Sequence, residues 1–368
     1  MNTHISNPGL QEAACDLIWS LAFNNNLVKE VIGRQGGIPV IIKGMRLHAS
    51  CADFLKSSCG ALSNMCQNTH NQSLIAAHGG ISCILEALKR HKSNSILLPF
   101  IFDALASLIV GNERNSREVS ETGAITLILD SINEHCGKGE LVKSGCHALA
   151  ILSDSQGQGA KISAADGVKV LLPTLRAHPN HLDLHRVAAV VLLRMLQESP
   201  VARDIAELGG VPLMLCVLKE QQHEVETVAA ACHILYSISH PDAVGNPNQP
   251  VDIESQLITP SEYDKAGKKT LGVMSSAGSE IKEASTGAKP QRSVINNLSA
   301  IISVIQKHGQ RKDIVRACVR SMVNLSRFRA LLAWIDASES IGPILAAAST
   351  HSQARDITDS CATLLKGL

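Results

Sequence analysis

Apolar residues along this chain recur at steps of three and four, the spacing of amphipathic helices. The pattern is clearest between Ile205 and Ser239, where it predicts three helices. The first is short and ends at Gly209-Gly210, the second runs from Val211 to about Glu220, and the third from about Glu224 to Ser239. The third carries a stripe of apolar residues at Val225, Val228, Ala231, Cys232, Leu235 and Ile238. Because three short helices cannot bury such stripes alone, we expect this unit to stack against copies of itself.

Two independent markers repeat this unit along the chain. The turn glycine recurs at Gly37, Gly80, Gly123, Gly167 and Gly210, at intervals of 43 or 44 residues. The last turn of the third helix recurs at Ser20, Asn64, Ser107, Ile151, Met195 and Ser237, and then at Asn324 and Gly367. A period of about 40–47 residues built from two or three helices is typical of an α-solenoid. The sequence therefore predicts an all-α fold of stacked three-helix repeats.

Four short motifs make the chain resemble the armadillo family. They are NQSLIAAHGGIS (Asn71–Ser82), IAELGGVP (Ile205–Pro212), ALSNM (Ala61–Met65) and SMVNL (Ser321–Leu325). The resemblance covers almost the whole chain and implies a right-handed α-α superhelix, the armadillo-repeat solenoid. HEAT repeats are the structural alternative, disfavoured by the recurrent Gly-Gly and the three-helix spacing. The family includes import receptors, adhesion and signalling scaffolds, exchange factors and ciliary proteins, so it fixes the architecture better than the function.

The helical pattern divides the chain into three parts. We expect armadillo repeats over residues 1–240, a flexible insertion over 241–292 and further repeats of the same solenoid over 293–368. The insertion is rich in Pro, Gly, Ser and Thr and poor in large apolar residues, a composition that does not offset the entropy of ordering. The chain begins almost inside a third helix, Gln11 to Phe23, and we therefore expect that capping helices are missing or lie upstream.

Composition excludes several classes of protein. With a formal charge of +1 and 2% aromatic residues, the chain lacks the field and the stacking surface that nucleic-acid binding needs. It has no signal-peptide pattern and no apolar run long enough to span a bilayer. Its eleven cysteines include no C-x-x-C pair and are expected to be small buried hydrophobes in a reducing compartment. We expect a cytoplasmic protein, with nuclear and ciliary locations open.

Catalytic and metal-binding motifs are missing from the sequence. It has no Walker A loop, no G-x-S-x-G and no H-E-x-x-H. The fifteen histidines are dispersed, and the densest set is His178, His181 and His185. These could ligate a metal on one helix face, but His178-Pro179 marks a loop, which favours solvated histidines. We expect no enzyme, no metal and no cofactor.

The armadillo resemblance implies a binding groove lined by third helices, where an asparagine pins an extended peptide. An amide offers one acceptor and two donors for this task, and only Asn64 and Asn324 match. Import receptors also carry a tryptophan one turn earlier. The equivalent positions here are Asp16, Gly60, Asp103, His147, Val191, His233 and Arg320. None of them has a large aromatic ring, which argues against an import receptor.

Charge along the predicted groove changes from one end of the chain to the other. The first groove helix is acidic at Glu12 and Asp16, and the middle helices show Lys143, His147 and Ile151, then the apolar Val187, Val191 and Met195. Lys312, Arg316 and Arg320 form a basic row leading to Asn324, with Arg311, Arg327 and Arg329 nearby. The predicted partner-binding residues are Asn64, Asp103, His147, His233, Lys312, Arg316, Arg320 and Asn324.

The resulting functional prediction is a non-enzymatic scaffold or adaptor. Its groove is expected to bind an extended or acidic segment of a partner protein; the oligomeric state stays open. The alternative is a transport receptor or a GTPase-regulating armadillo protein, engaging a folded GTPase or a basic targeting peptide.

Overall fold

Helices make up all the regular secondary structure in the described part of the chain. The structure is a computed structural model that describes residues 1–220, 223–240, 299–325 and 341–366. These residues belong to two compact units, Met1–Val170 and Leu171–Leu368. The predicted insertion at 241–292, the predicted helix Leu331–Ser338, and the residues Arg327 and Arg329 lie outside the described residues.

Unit 1 contains a first helix followed by successive three-helix repeats. The helices are α1 (Pro8–Ala22), α2 (Asn26–Arg34), α3 (Gly37–Leu47), α4 (Ala52–Met65), α5 (Thr69–Ala77), α6 (Gly80–Arg90), α7 (Leu98–Ile109), α8 (Glu113–Glu121), α9 (Ala124–Glu134), α10 (Gly139–Ser153) and α11 (Gln158–Ala164). Helix α12 (Gly167–Ala177) spans the boundary between the units. α1 is a third helix, as predicted, and each later trio α2–α4, α5–α7 and α8–α10 is one repeat.

Unit 2 is also built of helices. Its helices are α13 (Leu182–Glu198), α14 (Ala202–Glu207), α15 (Gly210–Glu220) and α16 (Val225–Ser239), then α17 (residues 299–307), α18 (Lys312–Leu325), α19 (Ile341–Thr350) and α20 (Arg355–Lys366). The stretch from Ile205 to Ser239 forms the three helices that its apolar spacing predicts. The prediction of an all-α fold of three-helix armadillo repeats is confirmed.

Asparagine caps begin the first helix of three consecutive repeats. Asn25, Asn68 and Asn112 precede α2, α5 and α8, and each side-chain oxygen accepts the N–H of the residue three positions later, at 3.1–3.2 Å. Such a bond satisfies one of the N–H groups that a helix start leaves unpaired. The repeated cap sets the same starting point for the first helix in each repeat.

The turn between first and second helices needs a left-handed residue. Gly36, Gly79, Gly123 and Gly209 fill this position with φ between 76° and 82°, and Asp166 fills it at 60°. The recurring glycine of the sequence pattern is the residue after each of these positions, except at Gly123, where the two coincide. The following glycine is needed for another reason: a Cβ on Gly210 would lie 2.4 Å from Cγ2 and 2.7 Å from the carbonyl oxygen of Ile205.

Histidines that follow second helices bond to backbone oxygens of the segment about 43 residues earlier. His48, His91 and His135 follow α3, α6 and α9, and their Nε2 atoms lie 2.7, 2.9 and 3.0 Å from the backbone oxygens of Ile5, Ala49 and Lys92. In unit 2, His351 follows α19 and lies 2.8 Å from the oxygen of Gly309. A carbonyl oxygen only accepts, so each imidazole donates from Nε2. Histidines that look dispersed in the sequence thus form a periodic set of contacts between repeats.

Candidate partner-binding surface

Third helices pack side by side within each unit. In unit 1 the order is α1, α4, α7 and α10, and in unit 2 it is α13, α16, α18 and α20. Each of these helices buries an apolar stripe and turns a more polar row outward. We call this outward row the third-helix surface of its unit. The predicted partner-binding residues all lie on third helices, four on α4, α7, α10 and α16 and four on α18.

The basic row of unit 2 is bridged by an acidic residue. Arg316 on α18 pairs with the carboxylate of Asp356 on α20 through both Nε and Nη2, and Nη2 of Arg320 lies 3.2 Å from Oδ2 of the same carboxylate. The hydrogen bond from Arg316 is the main reason why the pKa of Asp356 lies below its usual value. The three side chains are about one third exposed, at 37%, 39% and 31%. Two guanidinium groups therefore hold one carboxylate at the edge of solvent.

Aromatic and amide groups surround this cluster. The guanidinium carbon of Arg320 lies 5.9 Å from the ring centre of Tyr236 on α16, within the range of a cation–π contact. The Nδ2 atom of Asn324 lies 3.4 Å from both the backbone oxygen of Tyr236 and Oγ of Ser239. Lys312 and His233 are exposed. The structure thus places Arg316 and Arg320 at the surface, and Asn324 is largely buried one turn after Arg320 on the same helix.

Asn64 makes the same kind of contact in unit 1. Its Nδ2 donates to the backbone oxygen of Trp19 at 2.8 Å, and the side chain is largely buried, with the residue 8% exposed. Asn324, at 7% exposed, bonds back to α16 in the same way. Both asparagines therefore commit an N–H to the preceding third helix. That these asparagines bind the backbone of a partner remains a prediction. In each, one N–H of the amide is already used, which leaves the other N–H and the amide oxygen for a partner.

An indole occupies the space left by Gly60. A Cβ at position 60 would lie 2.6–2.8 Å from three fused-ring atoms of Trp19, so the indole lies against the glycine. The ring of Phe100 on α7 meets Trp19 edge-on, with centroids 5.6 Å apart and an angle of 86° between the planes. Both residues are partly exposed, and Nζ of Lys56 lies 6.0 Å from the centre of Phe100. Position 60 itself carries no aromatic ring, and Trp19 of the preceding third helix lies beside it.

Asp103 and His147 lie on neighbouring third helices of unit 1 and are both exposed. Desolvation raises the pKa of Asp103, while the charges of His147 and Lys143 and a hydrogen bond from Ser144 act in the opposite direction. The carboxyl, although it reaches solvent, is thus partly covered by its neighbours. These residues place mixed charge beside the aromatic pair, so the surface of unit 1 is chemically distinct from the cluster at Arg316.

The predicted apolar middle of the groove is wrong. Val187, Val191 and Met195 are 7%, 0% and 0% exposed, so they belong to the core. The outward row of α13 is one residue earlier and runs through Arg186, Val190 and Arg194. One residue turns a helix by about 100°, enough to exchange a surface position for a core position. The third-helix surface of unit 2 is therefore basic on α13 as well as on α18.

The histidine-rich segment does not gather metal ligands. His178, His181 and residues 177–183 line an open cavity of about 680 Å³. His185 is 2% exposed, its Nε2 lies 3.3 Å from the oxygen of Leu175, and burial lowers its pKa. Among the residues that the structure describes, no group of three or more His, Cys, Asp or Glu could hold a metal ion. No helix in that same part of the chain is long and apolar enough to cross a membrane.

Sequence reasoning missed Asp356 and Trp19. Asp356 lies 43 residues after Asp313, in the first turn of the next third helix. This separation is one repeat period, so it indicates that Asp356 lies on the third helix next to the basic row. The signal for Trp19 was the glycine at position 60. Other third helices carry a side chain at this position, so the glycine indicated that a neighbouring residue fills the space.

Known proteins share both sequence and fold with this chain. Residues 46–240, more than half of the chain, match the GAC ARM domain family. Over 106 residues the chain is 31% identical to Protein aardvark from Dictyostelium discoideum, a match that covers 26% of this chain and 14% of that protein. The match therefore spans only a small part of that relative's length.

Two solved structures share the fold at 12% sequence identity. One is a chain from the study "A conserved phosphorylation switch controls the interaction between cadherin and beta-catenin in vitro and in vivo", with a TM-score of 0.57 over 98% of this chain and 75% of that one. The other is SYS-1, with a TM-score of 0.51 over 98% of this chain and 74% of that one. The family match and the three-helix period agree, and the chain belongs to the GAC ARM domain family of armadillo-repeat proteins.

Proposed function

We propose that this protein is a non-catalytic interaction scaffold whose unit 2 binds an acidic segment of a partner protein on its third-helix surface. The observation that carries the proposal is the shared grip of Arg316 and Arg320 on one carboxylate. The guanidinium group of arginine matches the geometry of a carboxylate. Two guanidinium groups that are already fixed on one helix face need little rearrangement to bind a carboxylate of a partner. Asp356 occupies the site as a carboxylate of the chain itself.

Charge on the neighbouring helices supports the same partner chemistry. Arg186 and Arg194 lie on the outward row of α13, and Lys312 is exposed one turn before Arg316. Cations on two helices of this surface suit an extended segment with acidic residues at intervals. Asp313 and Asp356 reduce the local charge, so we expect moderate affinity that falls steeply as salt is added.

The fold neighbours are consistent with this role. The structure with a TM-score of 0.57 comes from work on an interaction between cadherin and beta-catenin, two proteins. At 12% identity this likeness extends to the fold alone, and the partner of the present chain is proposed from its own residues. Helix α1 and the aromatic pair Trp19 and Phe100 would form a second contact area, in unit 1, for an apolar side chain.

Binding of a fluorescein-labelled oligo-glutamate peptide tests the proposal. Fluorescence anisotropy should show saturable binding that weakens on adding salt, and an oligo-lysine peptide should bind far more weakly. The double variant Arg316→Ala and Arg320→Ala should reduce the affinity at least tenfold. The matched control is Lys89→Ala with Arg90→Ala, which removes the same charge from exposed positions on α6. If both double variants lost the same affinity for the peptide, the effect would come from net charge alone, and the proposed site would be overturned.

A further inference from the structure

Two buried thiols face each other beneath the arginine cluster. Sγ of Cys232 on α16 and Sγ of Cys318 on α18 are 3.2 Å apart, and the two residues are 1% and 0% exposed. A disulfide bond has a sulfur separation of about 2.05 Å, so a relative shift of about one ångström would bring the two atoms to bonding distance.

The neighbouring contacts hold the two helices in this register. The single hydroxyl hydrogen of Ser321 is shared between the backbone oxygen of Cys232 on α16, at 3.3 Å, and that of Ala317 within α18, at 2.7 Å. Asn324, one turn further along α18, reaches back to Tyr236 on α16. Contacts from Ser321 and Asn324, three and six residues after Cys318, therefore join the same two helices that carry the thiols.

We propose that Cys232 and Cys318 form a reversible disulfide that links two adjacent repeats and fixes the helices carrying Tyr236 and Arg320. The oxidant is a low-molecular-weight disulfide such as glutathione disulfide. One thiolate attacks it, forming a mixed disulfide and releasing one glutathione thiolate. The second cysteine thiolate then attacks the mixed disulfide, releasing the second glutathione and closing the Cys232–Cys318 bond. Two electrons pass to the oxidant, and the two cysteine protons end on the two released glutathione molecules.

Burial sets the rate of this reaction. The thiolate is the reacting form, and the pKa of Cys318 is raised by its hydrogen bond with Cys232 and by burial. Exchange must therefore pass through a local opening of α16 from α18, and it should be slow at pH 7 and faster in mildly alkaline buffer. Once closed, the bond is protected by the same burial. The cross-link closes a loop of 86 residues, and such long loops are favourable for stabilisation by a disulfide.

Mass spectrometry of the full chain tests this inference. The folded protein is incubated with glutathione disulfide at pH 8, unreacted thiols are alkylated after denaturation, and the digest is searched for disulfide-linked peptides. The expected product is a peptide pair joined through Cys232 and Cys318, released by dithiothreitol, with an upward shift in the thermal unfolding midpoint of the oxidised protein. Absence of the linked pair from protein that remains folded, or a random mixture of linkages, would overturn the inference.

Two serine variants sharpen the result. Cys232→Ser should abolish both the linked peptide and the oxidant-dependent rise in the unfolding midpoint. Cys146→Ser removes a buried thiol from α10, a third helix of unit 1, and should leave both intact. Because the wild-type peptide map needs no variant, it decides the question even where Cys232→Ser fails to fold. A rise in the midpoint that persists in folded Cys232→Ser would contradict the assignment to this pair.

Discussion

The indole of Trp19 lies against Gly60, in the space that any side chain at position 60 would need. The distances from a built Cβ to Cδ2, Cε2 and Cε3 are 2.6, 2.8 and 2.8 Å, shorter than real Cβ contacts. Since the indole also meets the edge of Phe100, it has little room to move aside without losing that contact. The glycine thus makes room for an aromatic platform that spans three third helices, α1, α4 and α7.

Gly60→Ala should displace this indole. We expect a loss of roughly 1–3 kcal/mol in the free energy of unfolding, the usual range for overpacking. The emission of Trp19 should shift to the red as the ring moves toward water. A Trp334→Phe background leaves Trp19 as the single tryptophan. Gly137→Ala is the control, because a Cβ there meets nothing within 4 Å. An unchanged emission maximum would mean that the indole does not rest on Gly60.

Gly210→Val should destabilise unit 2 by several kcal/mol, the range of changes that force atoms into occupied space. The added Cβ would lie 2.7 Å from the backbone oxygen of Ile205, which cannot rotate away. Gly123→Ala measures backbone strain without a steric clash, because Gly123 has a φ of 78° and a Cβ there would meet nothing within 4 Å. We expect the alanine to cost only about 1–2 kcal/mol. Urea unfolding of both variants gives the comparison, and equal losses would contradict a steric role for Gly210.

Periodicity was enough to predict the repeats because each one needs the same turn and the same buried stripe. The recurrence of the turn glycine and the spacing of apolar residues within each helix can both be read directly from the sequence. The rotation of each helix is less well determined, since a period of 43 or 44 residues does not fix a position to one residue. That uncertainty placed Val191 and Met195 on the surface, whereas Val190 and Arg194 lie there.

The candidate site was predicted less completely than the fold. The positions of Arg316 and Arg320 follow from steps of four on one helix, which the sequence shows. Their partner Asp356 is on another helix, 36 to 40 residues away, and such pairs depend on how side chains meet across a packed interface. The domain boundaries and the role of the predicted binding residues remain predictions.

Asp356→Asn should strengthen binding of the oligo-glutamate peptide. Removing the carboxylate charge leaves Arg316 and Arg320 free for an acidic side chain of the ligand, and we expect a severalfold tighter Kd with steeper salt dependence. The stability cost should be small, about 1 kcal/mol or less, since the pair is partly solvated. Replacing both arginines by glutamate would be a poorer test, because it would place like charges against Asp356.

Asp359→Asn is the matched control for this experiment. Asp359 is exposed on the same helix, α20, and its replacement removes the same charge. Anisotropy titrations at two salt concentrations compare the variants. Equal gains in affinity from both changes would show that only the net charge matters, and a weaker Kd for Asp356→Asn would show that the carboxylate organises the arginines for the ligand.

The buried imidazole of His185 should make the protein less stable in mild acid. Burial is the main reason why its pKa is lowered from 6.5, and the nearby His181 and His178 act in the same direction. Backbone hydrogen bonds with Leu175 and His178 oppose the shift. The unfolded chain therefore binds a proton more readily than the folded one between the folded pKa and 6.5. The stability contributed by the neutral ring is fully present above pH 6.5 and is lost as the pH falls toward the folded pKa.

The urea midpoint should accordingly decline as the pH falls below 6.5, and His185→Gln should flatten that decline. Glutamine keeps a side-chain donor for the oxygen of Leu175 but does not titrate. His70→Gln is the control, because it removes an exposed histidine from α5 and should leave the pH profile of the wild type in place. Unfolding curves at closely spaced pH values between about 5 and 8 separate the variants, within the range where histidine titrates. If His185→Gln and the wild type lost stability in parallel, another group would have to account for the acid sensitivity.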